Sequence, residues 1–172
     1  MEDFNNDGHL DLFMTSYGLN DPAYLFFADG KGGYSNYTSQ AGLDGITSGL
    51  NSIHADYDND GNTDIFVLRG AWLADAGAHP NSLLHNNGDG TFTEKAEDLN
   101  LDLLGFIKGV VWGDVDNDGD QDLYISLLGQ PNLLMINEGV DKKWKFTNKA
   151  SIAGVEEPIS SFPAWFFDFD ND

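Results

Sequence analysis

Short apolar runs separated by turns of Asp, Asn and Gly extend along the whole chain of 172 residues. Runs that are apolar throughout, such as residues 65–68 and 123–128, are typical of strands covered on both faces. No window has a convincing helical period, and the nearest one, residues 95–103, is interpreted as a linker. The pattern therefore predicts an all-β chain.

Two linked motifs repeat along this pattern. The first is a nine-residue, Asp-rich motif whose starts are 53, 58 and 54 residues apart, at Asp3, Asp56, Asp114 and Asp168. The second begins with proline, at Pro22, Pro80 and Pro131, and lies 34 residues before the next Asp-rich motif in both complete cases. Such a linked repeat indicates one structural unit used several times.

Each repeat predicts four strands. The first precedes the Asp-rich motif (residues 50–55, 108–113 and 164–167), and the second follows it (12–15, 65–68 and 123–128). The third follows the proline, and the fourth contains Tyr34, Phe92 or Phe146 after a Gly-rich turn.

Four-stranded units of this size are typical of β-propeller blades, because a single blade cannot bury both its faces. The chain holds strands two to four of one repeat, two full repeats and the first strand of another, which predicts twelve strands and about three blades. Known propellers have about four to eight blades. We therefore expect residues 1–172 to form one partial β-propeller domain, an open arc with the last repeat truncated, from a longer reading frame.

The Asp-rich motif has the donor pattern of a calcium loop. Calcium takes six to eight oxygen ligands, and positions one, three, five and nine offer side chains while position seven offers a backbone carbonyl. Glycine at position six permits the sharp reversal. The predicted ligands are Asp3, Asn5, Asp7, the His9 carbonyl and Asp11; Asp56, Asp58, Asp60, the Asn62 carbonyl and Asp64; Asp114, Asp116, Asp118, the Asp120 carbonyl and Asp122; and Asp168, Asp170 and Asp172 of a truncated fourth loop.

The Asp-rich loops have three alternative interpretations. An EF-hand is rejected, because the last acid is at position nine instead of twelve and strands follow in place of a helix. Magnesium is disfavoured because it prefers fewer carboxylates and keeps its waters. A metal-free Asx turn that caps a hairpin stays open as the alternative. We expect about three complete Ca²⁺ sites, the first weaker because Asn5 replaces an acid.

Composition removes several classes of function. The 29 acidic residues against 8 basic ones give a net charge of −21, which excludes a nucleic-acid-binding surface and disfavours anionic lipid. Aromatic residues make up 13% of the chain, which indicates a packed core instead of disorder. The absence of cysteine excludes disulfides and thiolate sites, and no apolar run approaches a membrane span. No signal peptide is visible after Met1.

The loops and the "GDGTF" hairpin resemble FG-GAP/VCBS repeats, the blades of integrin α-subunit propellers. The segments "HADYDNDGNTDIFVLRGAW", "PNSLLHNNGDGTFTE" and "SFPAWFFDFDND" are similar to the cartilage acidic protein family with its ASPIC/UnbV domain. The resemblance covers essentially the whole chain. It implies a secreted or surface-exposed protein with a propeller of about seven blades and no known catalytic residues.

The histidines, the lysine-rich segment and the connection at residues 69–79 are weaker candidates for a functional site. The four histidines share no spacing typical of a zinc site or a catalytic triad, and His85 occupies the slot of Phe27 and Ile136, so it is interpreted as a packed core histidine. The lysine-rich segment, Lys142, Lys143, Lys145 and Lys149, is interpreted as an outer strand with one solvated face. Residues 69–79 form a longer connection, and Trp72 and His79 are candidate partner-binding residues. The alternative is that Trp72 packs over a neighbouring blade.

These observations favour a calcium-binding module, extracellular, periplasmic or on the cell surface, that serves adhesion or scaffolding by binding a protein or glycan. No convergent acid, base and nucleophile is present, so we do not expect an enzyme. The alternatives are a propeller domain of a secreted lyase- or dehydrogenase-like enzyme, with catalytic residues outside this fragment, and a structural spacer. The partner is unknown, and the fragment is expected to self-associate through its open blade faces.

Overall fold

The computed structural model describes residues 1–69 and 79–169, and the regular secondary structure of this part of the chain is almost all β-strand. Its eleven strands form three antiparallel sheets in which spatial order follows sequence order. The first sheet contains β1 (Leu12–Met14), β2 (Tyr24–Ala28) and β3 (Tyr34–Asn36). The second contains β4 (Gly49–Ala55), β5 (Asp64–Arg69), β6 (Ser82–Asn86) and β7 (Phe92–Glu94). The third contains β8 (Ile107–Gly113), β9 (Asp122–Leu127), β10 (Leu133–Asn137) and β11 (Phe146–Asn148).

The core lies between the sheets. Strand β5 is buried along its length because its alternate side chains enter two different clusters. Phe66 and Leu68 pack in the cluster shared with the third sheet, and Ile65 and Val67 in the cluster shared with the first. The prediction of strands covered on both faces, and with it the partial β-propeller, is confirmed.

The predicted strand at residues 164–167 is wrong, since these residues form no ladder with a described strand. The chain before it makes one isolated bridge, between Leu128 and Ser160, and the Ser126 hydroxyl donates to the carbonyl of Phe162. Farther along, the ring of Phe166 lies against Gly113 of β8 and fills the space that a side chain at this position would need. The segment therefore packs on the third sheet as an extended chain, and the described part contains eleven strands instead of twelve.

The lysine-rich segment is also not one outer strand. Residues Val140–Lys142 form a short 3₁₀ helix, and Lys143 and Trp144 follow with left-handed φ values of 58° and 59°. In this segment only Phe146–Asn148 forms a strand, β11, because the residues before it make up the reversal of the chain after β10. A four-residue helix, α1 (Ala150–Ala153), follows and is too short to produce a periodic pattern in the sequence.

Candidate metal centre

Each of the first three Asp-rich loops is one compact turn that is closed by its first carboxylate. In the second loop, Asp56 accepts the backbone N–H of Asp60 at 3.1 Å and that of Gly61 at 2.9 Å. The same pair of bonds joins Asp3 to Asp7 and Gly8, and Asp114 to Asp118 and Gly119. Three loops of different sequence therefore share one geometry.

The aspartate at position nine anchors the loop to its sheet. Asp64 accepts the N–H of Tyr57 within the loop at 3.2 Å and that of Asn86 on β6 at 2.7 Å. The equivalent residues bond in the same way: Asp11 to Phe4 and Ala28, and Asp122 to Val115 and Asn137. All three carboxylates are fully buried. This residue therefore joins the loop, the second strand and the third strand.

The structure brings three of the four predicted carboxylates together in the second loop and three of four in the third. Asp56, Asp58 and Asp60 each present a ligand atom within 4.8 Å of the others, and the third loop does the same with Asp114, Asp116 and Asp122. The groups of this kind among the described residues do not include the first loop. There Asn5 donates from its amide to Asp7 at 3.1 Å, so a hydrogen bond replaces a carboxylate contact.

Burial makes the charged form of these carboxylates costly in the absence of a cation. It raises the pKa of Asp64 to about 8 and that of Asp122 to about 6, although backbone N–H donors oppose both shifts. It also raises the pKa of Asp58, against the opposing effect of His85. Oδ1 of Asp58 is buried and has no hydrogen-bond partner among the described residues. A set of clustered carboxylate oxygens, one of them orphaned, fits a hard divalent cation such as calcium.

The other predicted site residues are less informative. Asp168 is exposed, and Asp170, Asp172 and Trp72 lie outside the described residues. His79 is half-buried. The carbonyl ligands assigned to His9, Asn62 and Asp120 stay predictions.

His85 is a residue whose position the sequence interpretation described incompletely. Its ring packs edge-on against Tyr57, as a core residue would, with centroids 5.9 Å apart. Its Nδ1, however, lies 3.2 Å from Oδ1 of Asp64 and 3.5 Å from Oδ2 of Asp58. No sequence signal marks this approach, because only the folded sheet brings β6 next to the loop before β5.

Two sets of asparagines that connect neighbouring repeats were also missed. Asn59, at position four of the second loop, donates to Asp120 of the third loop at 2.8 Å, and Asn6 donates to Asn62 at 3.1 Å. Deeper in the molecule, the buried amides of two third-strand asparagines reach the carbonyl of loop position two in the preceding repeat: Asn86 to Phe4 at 2.8 Å and Asn137 to Tyr57 at 2.9 Å. The loops thus form one hydrogen-bonded row.

The sequence profile of the FG-GAP-like repeat family matches residues 3–67 and, again, residues 56–125. Both matches begin at the first aspartate of a loop. The chain belongs to the FG-GAP-like repeat family. It is also similar to cartilage acidic protein 1 of Xenopus tropicalis, with 29% identity over 140 residues, which are 80% of this chain and 20% of that protein. The chain thus spans about a fifth of the relative's length.

The helices in the described part of this FG-GAP repeat chain are short. None of them has the length and apolar character needed to cross a membrane.

Proposed function

We propose that this chain is a calcium-binding module of an extracellular β-propeller that holds a protein or glycan partner. The observation that carries the proposal is the repetition of one loop geometry with converging carboxylates at two successive positions, Asp56–Asp58–Asp60 and Asp114–Asp116–Asp122. Calcium, when bound, would neutralise these carboxylates and fix the loop. The first loop, with Asn5, would bind more weakly.

Charge supports a cation over the alternative of metal-free hairpin caps. The backbone N–H bonds described above satisfy positions one and nine, so a cap alone would explain those residues. It does not explain Asp116, which accepts no hydrogen bond from a described residue and lies beside Asp114 and Asp122. No Lys or Arg forms an ion pair with the carboxylates of the second and third loops within the described ranges. Three carboxylates without a countercharge favour a bound cation.

An extracellular setting is consistent with such sites. Calcium modules outside the cell typically have dissociation constants of ~10⁻⁴–10⁻³ M, and calcium there is ~1 mM. Mass action then gives about 0.4–1.4 kcal/mol of stabilisation per site and roughly 1–4 kcal/mol for three sites. For a chain of this size, that corresponds to a rise in melting temperature of roughly 2–16 °C.

Scanning calorimetry tests the metal assignment. The metal-stripped chain should melt several degrees lower than the chain with 1 mM calcium, and magnesium should not restore the difference. Asp116→Asn is the matched variant, because it removes a predicted ligand but no loop hydrogen bond. It should reduce the rise in melting temperature that calcium produces, and it should lower the number of bound calcium ions by about one. Equal melting temperatures with and without calcium would show that the loops are hairpin caps.

Binding to a glycan array or to intact cells, with calcium or with chelator, tests the partner assignment. We expect the chain to be retained on the array or on the cells when calcium is present, and we expect chelation to weaken that retention. Trp72→Ala, compared with His79→Ala, asks whether the long connection contributes. Unchanged affinity in both variants would refute the assignment of this connection to the partner-binding surface.

A further inference from the structure

The second repeat places an imidazole where the other repeats place a hydrocarbon. His85 on β6 pairs with Thr93, Phe27 on β2 pairs with Ser35, and Ile136 on β10 pairs with Thr147, so the three positions are structurally equivalent. Only His85 can offer a nitrogen ligand. At this strand position the second repeat therefore has a nitrogen donor that the first and third repeats do not have.

His85, Asp58 and Asp64 each present one ligand atom within 4.8 Å of the others. The Nδ1 atom lies 3.2 Å from an oxygen of Asp64 and 3.5 Å from an oxygen of Asp58. Ligand atoms that surround a zinc-sized ion tetrahedrally at ~2.0–2.1 Å are separated by ~3.3 Å. Nδ1 of His85 and Oδ1 of Asp58 are both buried and have no hydrogen-bond partner in the described part of the chain. A metal ion between the three side chains, bound to Oδ2 of Asp58 and Oδ1 of Asp64, would give the unpartnered Nδ1 of His85 a ligand bond.

The surroundings hold these donors in place. Asp64 is fixed by the N–H groups of Tyr57 and Asn86, and the Tyr57 ring packs edge-on against the imidazole. Such outer contacts orient metal ligands and usually contribute strongly to affinity. The site is therefore organised before a metal binds, in contrast to a set of exposed acids.

We propose that His85, Asp58 and Asp64 form a binding site for a divalent transition-metal ion of the zinc class. Imidazole nitrogen suits zinc and its neighbours, whereas calcium takes oxygen ligands, so His85 distinguishes this loop from the third loop. The site shares Asp58 and Asp64 with the calcium site of the proposed function, and the two ions compete for the second loop. The competing explanation is that His85 serves as a protonated counterion to the two carboxylates.

Zinc and cobalt titrations of the metal-stripped chain separate these explanations. Isothermal titration with Zn²⁺ and the visible absorption of Co²⁺ should show one site in the native protein. His85→Phe, which installs the side chain found in the first repeat, should weaken Zn²⁺ binding at least tenfold and abolish the cobalt spectrum. Asp116→Asn should leave both signals unchanged. His85→Gln serves as a second variant of similar polarity if the phenylalanine disturbs folding.

The outcomes also distinguish this proposal from the calcium assignment. Loss of Zn²⁺ binding in His85→Phe, with calcium binding at the third loop retained, supports the zinc-class site. Unchanged Zn²⁺ affinity in both His85 variants, or no Zn²⁺ binding by the native chain, overturns it and leaves the calcium assignment intact. Zn²⁺ binding without any calcium response would instead refute the proposed function and retain this site.

Discussion

Asp122 has both its oxygens occupied by backbone donors, Val115 at 2.9 Å and Asn137 at 2.8 Å. Asp116 lies in the same loop, is exposed and accepts no hydrogen bond from a described residue. Both are predicted calcium ligands, but only Asp122 holds the loop to β10. Substitution of these two carboxylates should therefore change the stability of the metal-free chain by different amounts.

Asp122→Ala should destabilise the chain even without calcium. The substitution leaves one buried and one partly buried N–H group without acceptors, at a cost of about 1–3 kcal/mol. That cost corresponds to a loss of roughly 2–12 °C in melting temperature. Asp116→Ala, measured in the same metal-stripped state, should melt within about a degree of the native chain. Equal melting temperatures for the two variants without metal would contradict the anchoring role.

The raised pKa values predict an unusual response to pH in the metal-free protein. An aspartate whose pKa rises on folding binds its proton more tightly in the folded state, so it stabilises the fold at low pH. For Asp122, with a pKa of about 6, and Asp64, with a pKa of about 8, this contribution is lost as pH rises through those values. In the proposed function, calcium would take the place of the proton.

The metal-stripped chain should therefore melt at a higher temperature at pH 5.5 than at pH 8. With saturating calcium the difference should shrink or reverse, since deprotonation then favours the ion. Asp64→Asn removes one titrating group and should flatten the metal-free profile. A metal-free melting temperature that rises between these pH values would oppose this account.

At the scale of the loop and strand, neighbouring repeats are joined through asparagine. Asn59 and Asn117 occupy the same loop position with left-handed φ values of 55° and 60°, so replacing either incurs the same backbone strain. Asn59 bonds Asp120 and the carbonyl of Gly119, whereas Asn117 makes no such bond to a described residue. This pair therefore isolates the contact between loops.

Asn59→Ala should cost about 0.5–1.5 kcal/mol more than Asn117→Ala, because only the first loses a hydrogen bond between loops. Removing this bond should also weaken calcium binding at the second loop when the third loop is empty. Chemical denaturation of both variants measures the first effect. Calcium titration of Asn59→Ala combined with Asp116→Asn measures the second. Equal stabilities would show that the loops are energetically independent.

The sequence predicts elements well where the pattern is local. Strand β5 is recognisable because residues 65–68 are all apolar, and the loops because their aspartates lie close together in the sequence. Residues 164–167 have the same kind of apolar pattern but form no ladder. A strand also needs a neighbouring strand to pair with, and the local sequence pattern carries no information about that neighbour. Lys143 and Trp144 adopt left-handed φ, which their residue types do not suggest. The approach of His85 to Asp58 crosses from β6 to the loop before β5, so only the folded sheet reveals it.

At the scale of the whole molecule, a large net negative charge coexists with an exposed aromatic segment. The net charge of −21 opposes the approach of two copies. The segment that packs on β8, residues 162–169, nevertheless exposes large aromatic side chains. These are Phe162, Trp165, Phe167 and Phe169, with 64–80% of their surface accessible. Aromatic side chains clustered in one exposed segment are typical of an interface, and the repulsion that opposes association is weakened by salt.

This chain should therefore self-associate as protein concentration rises, and more strongly at high salt, where the charges are screened. Size-exclusion chromatography with light scattering should show a rising mass, and Trp165→Ser with Phe167→Ser should reduce it. Ile152→Ser is the control, because Ile152 is 86% exposed but lies on α1, outside the aromatic segment. A monodisperse monomer at all concentrations and salt levels would show that the repulsion prevails. Equal suppression by Ile152→Ser would show that association is a general effect of exposed apolar residues, unrelated to this segment.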